Sequence, residues 1–414
     1  MTAEQTIYDK IKILAPHTET FSLQGFMEQE PLAIEPFSEE RCQALEQLSR
    51  RFLKDPILKR DPASIALAYW FRRSQIQQKR DAFLTRSDAL HEQIVLPIGR
   101  VFHLTPTNVD TLFVYSWALS YLAGNQNILR LSSRQGNPIV DRILELIGTW
   151  TEEVEGDNAS TCLLTYAHDD EVTTFLSKWC NHRVIWGGDE TVAGIRPLPL
   201  PSHASERLFG NKFSYAVFGT QAVLQADDDE LKKLSTQFFN DMFWFGQMAC
   251  SSPHLIFWLG ADGHQEAVAR FEALLNDQAI TKQHPTSATD VVTRLSYAFE
   301  LATKEDISVR LEHPHFASIL HNEQSFEKDF CGSGTLHHAQ VDNVQEIAAQ
   351  LGESDQTIAH YGLSEEQLFS LARCAGAKGI DRIVPVGEAL LFSESWDGYD
   401  LLEDFTKRVV VKIK

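Results

Sequence analysis

From Ile94 onward, short β-branched apolar runs alternate with stretches whose apolar residues recur at helical spacing. Ile94–Leu104 reads as a strand, Thr105-Pro106-Thr107-Asn108 as a turn, and Asp110–Ala123 as a strongly apolar helix. Gly124-Asn125 should stop that helix with a left-handed cap. Asn127–Leu131 is the next strand, Ser132–Asn137 a polar loop, and Pro138–Trp150 another helix. Thr161–Thr165, Asp170–Lys178 and His182–Trp186 continue as strand, helix and strand, ending in Gly187-Gly188. This alternation with short loops predicts an α/β fold with a parallel sheet covered on both faces. Ligands of such sheets bind at the carboxyl ends of the strands. The loops Thr105–Asn108, Ser132–Gly136 and Gly187–Glu190 would lie on that edge.

The flanking segments read differently. Residues 1–40, with Pro16, Pro31 and Pro36, carry weak patterning and predict an irregular lead-in. A helix follows Ser38-Glu39-Glu40, with Leu45, Leu48, Phe52 and Leu53 as its stripe, and a second spans Ala63–Gln77. Arg72 and Arg73 on it read as a solvated face. Residues 195–210 hold three prolines and form a natural connection between domains. After the strand Phe213–Phe218, Asp227 can cap a helix whose first turn is acidic. Leu231, Leu234, Phe238, Met242, Phe245 and Ala249 then share one face. Cys250-Ser251-Ser252-Pro253 breaks the pattern, and Leu255–Trp258 reads as a short buried strand. Cys250 therefore sits on a tight turn between helix and strand, a place that can present a thiol nucleophile. The plain alternative is that a free cysteine is a small, buried, inert hydrophobe. Helices near Gly263–Asn276 and Val344–Leu351, a strand at Ala317–His321 and a closing strand at Arg408–Ile413 complete the second half. The exposed edge of that last strand suggests a homo-oligomer.

A chain of 414 residues is long for one core. The expected organisation is a lead-in over 1–90, a cofactor domain over 91–220, a catalytic domain over 221–400 and a terminal strand over 401–414. The net charge, 37 − 57 = −20, argues against nucleic acid as partner. No apolar run is long enough to span a membrane, and the first residues lack the apolar core of a secretory signal. Six scattered cysteines suit a reducing cytosol. No P-loop, G-x-S-x-G elbow, C-x-x-C pair or H-E-x-x-H occurs, so no metal site is expected. No G-x-G-x-x-G fingerprint is present either, and Gly332-Ser333-Gly334 is only a fragment of one.

A nucleotide-type sheet without the glycine fingerprint, followed by a thiol after Gly-Gln, resembles the aldehyde dehydrogenase superfamily. TPTNVDTLFVYSWALSYLAGNQNILRLSS carries most of that likeness. ALAYWFRR, VIWGGDETV, FGQMACSSP, RIVPVGEAL and WDG, in this order, resemble the LuxC-type fatty acyl-CoA reductases within it. The resemblance spans about residues 40 to 405 and implies a Rossmann-type cofactor domain beside an α/β catalytic domain. It implies that Cys250 takes the acyl group of a fatty acyl-CoA or acyl-carrier thioester, and that hydride reduces the enzyme thioester to an aldehyde. Asn108 matches the amide that, with the nucleophile's own N–H, stabilises the oxyanion.

Thr105, Pro106, Thr107, Arg130, Ser132, Ser133, Arg134, Gly187 and Gly188 match the dinucleotide-binding loops. Ser133 stands where an acid often meets a ribose hydroxyl, and Arg130 with Arg134 would attract a 2′-phosphate, which implies NADPH. Leu208 stands where oxidising members carry a glutamate base, so the enzyme thioester should escape hydrolysis. Glu206, two residues earlier, is a second candidate for that base, and the group that deprotonates Cys250 is left open. The alternatives are an oxidative aldehyde dehydrogenase and a non-catalytic acyl-holding subunit of a synthetase complex.

Overall fold

The strand–helix alternation becomes two largely parallel sheets, one in each of two units: residues 1–210 with 392–414, and residues 211–391. The computed structural model describes residues 3–31, 34–88, 93–105, 111–132, 137–154, 160–260, 262–322, 328–376 and 378–412.

The first unit contains, in chain order, β1 (Lys12–Ala15), β2 (Gln93–Pro97), β3 (Arg100–Leu104), β4 (Gln126–Arg130), β5 (Thr161–Thr165), β6 (His182–Trp186) and β7 (Ser205–Phe209). Its sheet runs β1-β5-β4-β3-β6-β7, parallel except for β1. The chain steps outward from β3 to β4 and β5, then returns to the other side of β3 for β6 and β7. The order thus reverses between β3 and β6, the kind of crevice in which doubly wound sheets bind ligands.

The Leu112–Leu122 helix is buried at every position, as expected of a helix that is apolar all round. On that face it shares a core with the helices Glu39–Lys54 and Pro138–Val154. The opposite face is covered by Asp170–Trp179 and Leu23–Glu28. Gly124 ends the apolar helix at φ 97°, and a Cβ there would lie 2.3 Å from the Ile34 carbonyl oxygen.

The second unit contains β8 (Phe213–Gly219), β9 (Pro253–Leu259), β10 (Ile307–Arg310), β11 (Ala317–His321), β12 (Thr335–Val341), β13 (Asp355–Tyr361) and β14 (Arg382–Pro385). They run β10-β11-β12-β9-β8-β13-β14, with only β10 antiparallel to its neighbour. The helices Asp228–Phe243 and His264–Thr281 cover one face. Val344–Gln350 and Glu365–Ala375 cover the other.

Four expectations change. Residues 1–40 are not an irregular lead-in: they hold the helices Ala3–Tyr8 and Leu23–Glu28, and β1, which pairs antiparallel with β5. A four-residue edge strand gains its stability from a partner distant in sequence, so local patterning misses it. Ile94–Leu104 is two strands, because Gly99 turns the chain at φ 115° and β2 leaves the main sheet. It pairs instead with the C-terminal strand Thr406–Val410. Ala63–Gln77 is two helices, Pro62–Trp70 and Arg73–Asp88. The helix leading to Cys250 stops at Phe243, so Phe245 and Ala249 are not on its face. Among the described residues no helix is long and apolar enough to cross a membrane, and no group of three His, Cys, Asp or Glu could hold a metal ion.

Candidate functional site: a clamped thiol turn and a cofactor crevice

The helix that precedes the thiol starts as its sequence dictates. Asp227 accepts from Glu230 N–H at 2.9 Å, and the Glu230 carboxylate accepts from Asp227 N–H at 3.2 Å, a complete capping box. Leu231, Leu234, Phe238 and Met242 are buried beneath it.

Beyond Phe243 the backbone turns left-handed for three residues, with φ 54° at Phe245, 60° at Gly246 and 65° at Gln247. Glycine adopts this freely, whereas Phe and Gln each give up about 1–2 kcal/mol. The Gln247 side chain compensates. It is fully buried and makes three hydrogen bonds. Nε2 donates to the carbonyls of Pro253 (3.1 Å) and Thr335 (2.8 Å), and Oε1 accepts from Thr335 N–H (3.0 Å). Two carbonyls on one side and an N–H on the other admit a single amide orientation.

Cys250 follows in a turn closed by Ser252 N–H on the Ala249 carbonyl (2.9 Å). Its own carbonyl accepts from Ser214 Oγ at 2.7 Å, and Ser214 Oγ accepts from Thr357 N–H at 3.2 Å. Ser251 Oγ donates to Gln356 Oε1 at 2.9 Å. The backbone around the thiol is thus tied to β8, β9, β12 and β13, at the amino end of β9. Cys250 itself is half-buried. Burial pushes the thiols of Cys42, Cys162 and Cys331 up, and that of Cys180 up to about 12, away from easy ionisation. Cys374 is exposed on the helix Glu365–Ala375. Cys331 is half-buried as well, so what sets Cys250 apart is that its partial access comes with a turn held on several strands.

The first unit holds the dinucleotide candidates. Below the β3–β6 crevice, His103 is fully buried, and that burial holds its imidazole down to about 3, so it is neutral. One ring nitrogen lies 2.9 Å from Ser116 Oγ and the other 3.2 Å from Asn127 Oδ1. Trp186 Nε1 donates to the same Ser116 oxygen at 3.0 Å. This polar network joins β3, β4 and β6 to the apolar helix and fixes the ends from which the loops leave.

At the carboxyl end of β3, Thr105 donates through N–H and Oγ1 to the Arg130 carbonyl, each at 3.2 Å. The Arg130 guanidinium, at the end of β4, lies 5.2 Å from the Tyr166 ring centroid and donates to the Tyr166 carbonyl at 3.4 Å. Arg130 Nε is buried without a partner among the described residues, a donor that an anionic or ribose oxygen could satisfy. Ser132 follows, half-buried. Gly187 N–H donates to the Phe209 carbonyl at 3.0 Å, and Gly188 precedes the helix Asp189–Ile195. A Cβ on Gly187 would meet Thr191 Cγ2 at 3.0 Å. Pro106, Thr107, Asn108, Ser133 and Arg134 lie outside the described residues. Arg130 closes β4, and Thr105, Ser132, Gly187 and Gly188 follow the carboxyl ends of adjacent parallel strands, the edge expected for them.

Leu208 lies on β7 against the apolar cluster that also holds Ile185. Glu206 faces Arg183 across the β6–β7 ladder. The Arg183 side chain is 0% exposed, and its Nε donates to Glu206 Oε2 at 2.6 Å. Its other nitrogens donate to Ser177 Oγ (3.0 Å), Leu198 O (3.3 Å) and Arg196 O (3.4 Å). The Glu206 oxygen considered for proton transfer is thereby engaged by a buried cation. Sequence reasoning missed that partner, because a lone Arg on a strand carries no mark of burial. It also passed over Gln247 and Ser214, whose contacts are 88 and 143 residues away.

Solved structures of similar fold are aldehyde dehydrogenases. The Mycobacterium tuberculosis aldehyde dehydrogenase complexed with NAD+ superposes with a TM-score of 0.62 at 13% identity, over 92% of this chain and 87% of that one. A NAD-dependent benzaldehyde dehydrogenase from Corynebacterium glutamicum gives 0.60 at 16% identity, over 92% and 84%. The betaine aldehyde dehydrogenase of Staphylococcus aureus in complex with NAD+ gives 0.57 at 15%, over 90% and 82%. A search among curated proteins finds no match. The family description acyl-CoA reductase (LuxC) matches residues 43–408, which takes in both sheets except β1, together with the thiol turn and the β3–β6 crevice, and the chain belongs to that family.

Proposed function

We propose that the protein reduces a long-chain fatty acyl thioester, on CoA or a carrier protein, to the fatty aldehyde, with Cys250 as the acyl acceptor and NADPH as reductant. The observation that carries this reading is Cys250 itself. In a chain of the acyl-CoA reductase family it is a half-buried thiol on a turn tied to four strands. Its thiolate attacks the thioester carbonyl, a new C–S bond forms, and the carrier thiol leaves with a proton. NADPH, when bound, supplies the hydride that reduces the carbonyl carbon. The resulting thiohemiacetal loses its C–S bond, which frees the aldehyde and returns the thiol. Asn108 and the Cys250 N–H are proposed as oxyanion donors, and Leu208 as the apolar replacement that spares the thioester from water. Thr105, Arg130, Ser132, Gly187 and Gly188, with Pro106, Thr107, Ser133 and Arg134, are proposed to hold the dinucleotide. The buried Arg130 Nε, which has no partner among the described residues, fits that role.

A homo-oligomer is proposed from the ribbon of β2 and the C-terminal strand, whose Ile94, Val409 and Val410 are exposed. A synthetase or carrier protein that delivers the acyl group is a compatible partner. The test is an assay with long-chain acyl-CoA and each reduced nicotinamide dinucleotide. NADPH oxidation matched by aldehyde, lost in Cys250→Ala, is expected. Full activity in that variant removes the assignment, and a preference for NADH removes the argument from Arg130 and Arg134. Absence of any acyl transfer favours the scaffold reading.

A further inference from the structure

The segment before Cys250 is written for a longer helix than the one that forms. Phe245 and Ala249 continue the apolar stripe of Leu231, Leu234, Phe238 and Met242, yet the helix stops at Phe243. What opposes its continuation lies on a second left-handed turn. Gly332, Ser333 and Gly334 take φ 65°, 51° and 79°, and lie against Gly246 and Met248.

Ser333 N–H donates to the Gly246 carbonyl at 3.2 Å, and both backbone groups of Thr335 are held by the Gln247 amide. The two turns fit only because Gly332 lacks a side chain. A Cβ there would lie 2.7 Å from Met248 Sδ and 2.8 Å from the Gly246 oxygen. The second turn is itself anchored, since Ser333 Oγ donates to Asp290 Oδ1 at 3.2 Å and Arg294 Nη1 donates to the Ser333 carbonyl at 3.4 Å. The Gly332-Ser333-Gly334 triplet, which resembles a scrap of a phosphate loop, is thus engaged with the thiol segment.

We infer that Gln247 and the Gly332–Gly334 turn form a clamp that halts the helix at Phe243 and so sets the orientation and access of the Cys250 thiol. The inference rests on the reading of Cys250 as acyl acceptor and makes Gln247 and Gly332 positioning residues for it. Without the clamp the helix can propagate towards Ala249, because its apolar face is already in register and alanine at 247 would favour it. Cys250 then rotates with the added turn, and its approach to an acyl carbonyl is lost, since reaction rates fall steeply with misplacement of about an ångström.

The test compares the full-length wild type with Gln247→Ala, Gln247→Glu and Gly332→Ala. Asp227→Ala serves as a control that weakens the same helix at its far end. Iodoacetamide labelling is followed by peptide mass spectrometry, with the exposed Cys374 as internal reference. Hydrogen exchange is followed over residues 244–250.

Gln247→Ala and Gly332→Ala should label Cys250 at least tenfold more slowly, with Cys374 unchanged. Protection over 244–250 should rise in Gln247→Ala. Gln247→Glu, which keeps the acceptor for Thr335 N–H, should recover part of the rate. Asp227→Ala should lower Tm yet label Cys250 as wild type does. Folded Gln247→Ala and Gly332→Ala proteins that label Cys250 within twofold of wild type would overturn the clamp. Labelling that slows equally in Asp227→Ala would overturn it too, as mere destabilisation. If wild-type Cys250 accepts no acyl group while its labelling still depends on Gln247, the clamp stands and the reductase reading falls.

Discussion

Glu206→Gln distinguishes a structural carboxylate from a catalytic one. Arg183 is 0% exposed and the Glu206 side chain 16% exposed, with the two joined across β6 and β7. Removing one partner from a buried ion pair costs about 3–5 kcal/mol. Arg183 keeps three other acceptors, and a glutamine oxygen can still receive one of its donors. The loss should therefore fall at the low end, about 3 kcal/mol. A unit of this size changes by roughly 2–4 °C per kcal/mol, so its apparent Tm should drop by roughly 6–12 °C. Turnover well below that temperature should stay within about twofold, since no reacting atom is touched. A general base would behave in the opposite way, with roughly 10²–10⁴-fold lower turnover and little change in Tm. Thermal unfolding by circular dichroism, paired with aldehyde formation at a temperature where both proteins are folded, separates the two. A large kinetic loss with an unchanged Tm would refute the placement of Glu206 with Arg183.

Three further outcomes are expected. Asp241 is buried and accepts from Gly387 N–H at 2.6 Å and Ala389 N–H at 3.2 Å; burial raises its carboxyl from 3.8 to about 7. The folded state then holds a proton that the unfolded chain releases above about pH 4. Stability should fall as pH rises from about 4 to about 7 and level off above, by up to about 4 kcal/mol; Asp241→Asn should flatten that slope in urea titrations at pH 5 and 7.5, and an unchanged slope would discount the buried carboxyl. Arg130→Ala should weaken dinucleotide binding by roughly 10–100-fold, the worth of a charge-assisted hydrogen bond, with the KM for acyl thioester unchanged; equal weakening of both would place Arg130 elsewhere. Asp227→Ala should cost about 1 kcal/mol in chemical denaturation through loss of the capping box, and no loss would mean that the helix start is held by packing alone.

The fold was largely legible in the chain because its core elements obey local rules. Thr161–Thr165, His182–Trp186 and Ala317–His321 form as strands with the bounds that their apolar runs suggest. Gly124 caps the apolar helix as a left-handed glycine should. β1 was not legible, because a four-residue edge strand depends on β5, 149 residues later, counted from Lys12 to Thr161. The stop at Phe243 was hidden for the same kind of reason. Local periodicity favours more helix, and Thr335 and Gly332 oppose it from far along the chain. Of the candidate site, the thiol and its turn were visible from residue types and their break in pattern. Gln247, Ser214 and Arg183 were not, since a polar side chain shows its worth only once its buried partners are known.

The central claim is that Cys250 carries the acyl group. The most direct measurement is peptide mass spectrometry of the protein after incubation with a long-chain acyl-CoA and no reductant. The prediction is one acyl group on the peptide containing Cys250, absent in Cys250→Ala, and discharged as aldehyde when NADPH is added. An acyl group on another residue, or full aldehyde production by Cys250→Ala, would contradict it.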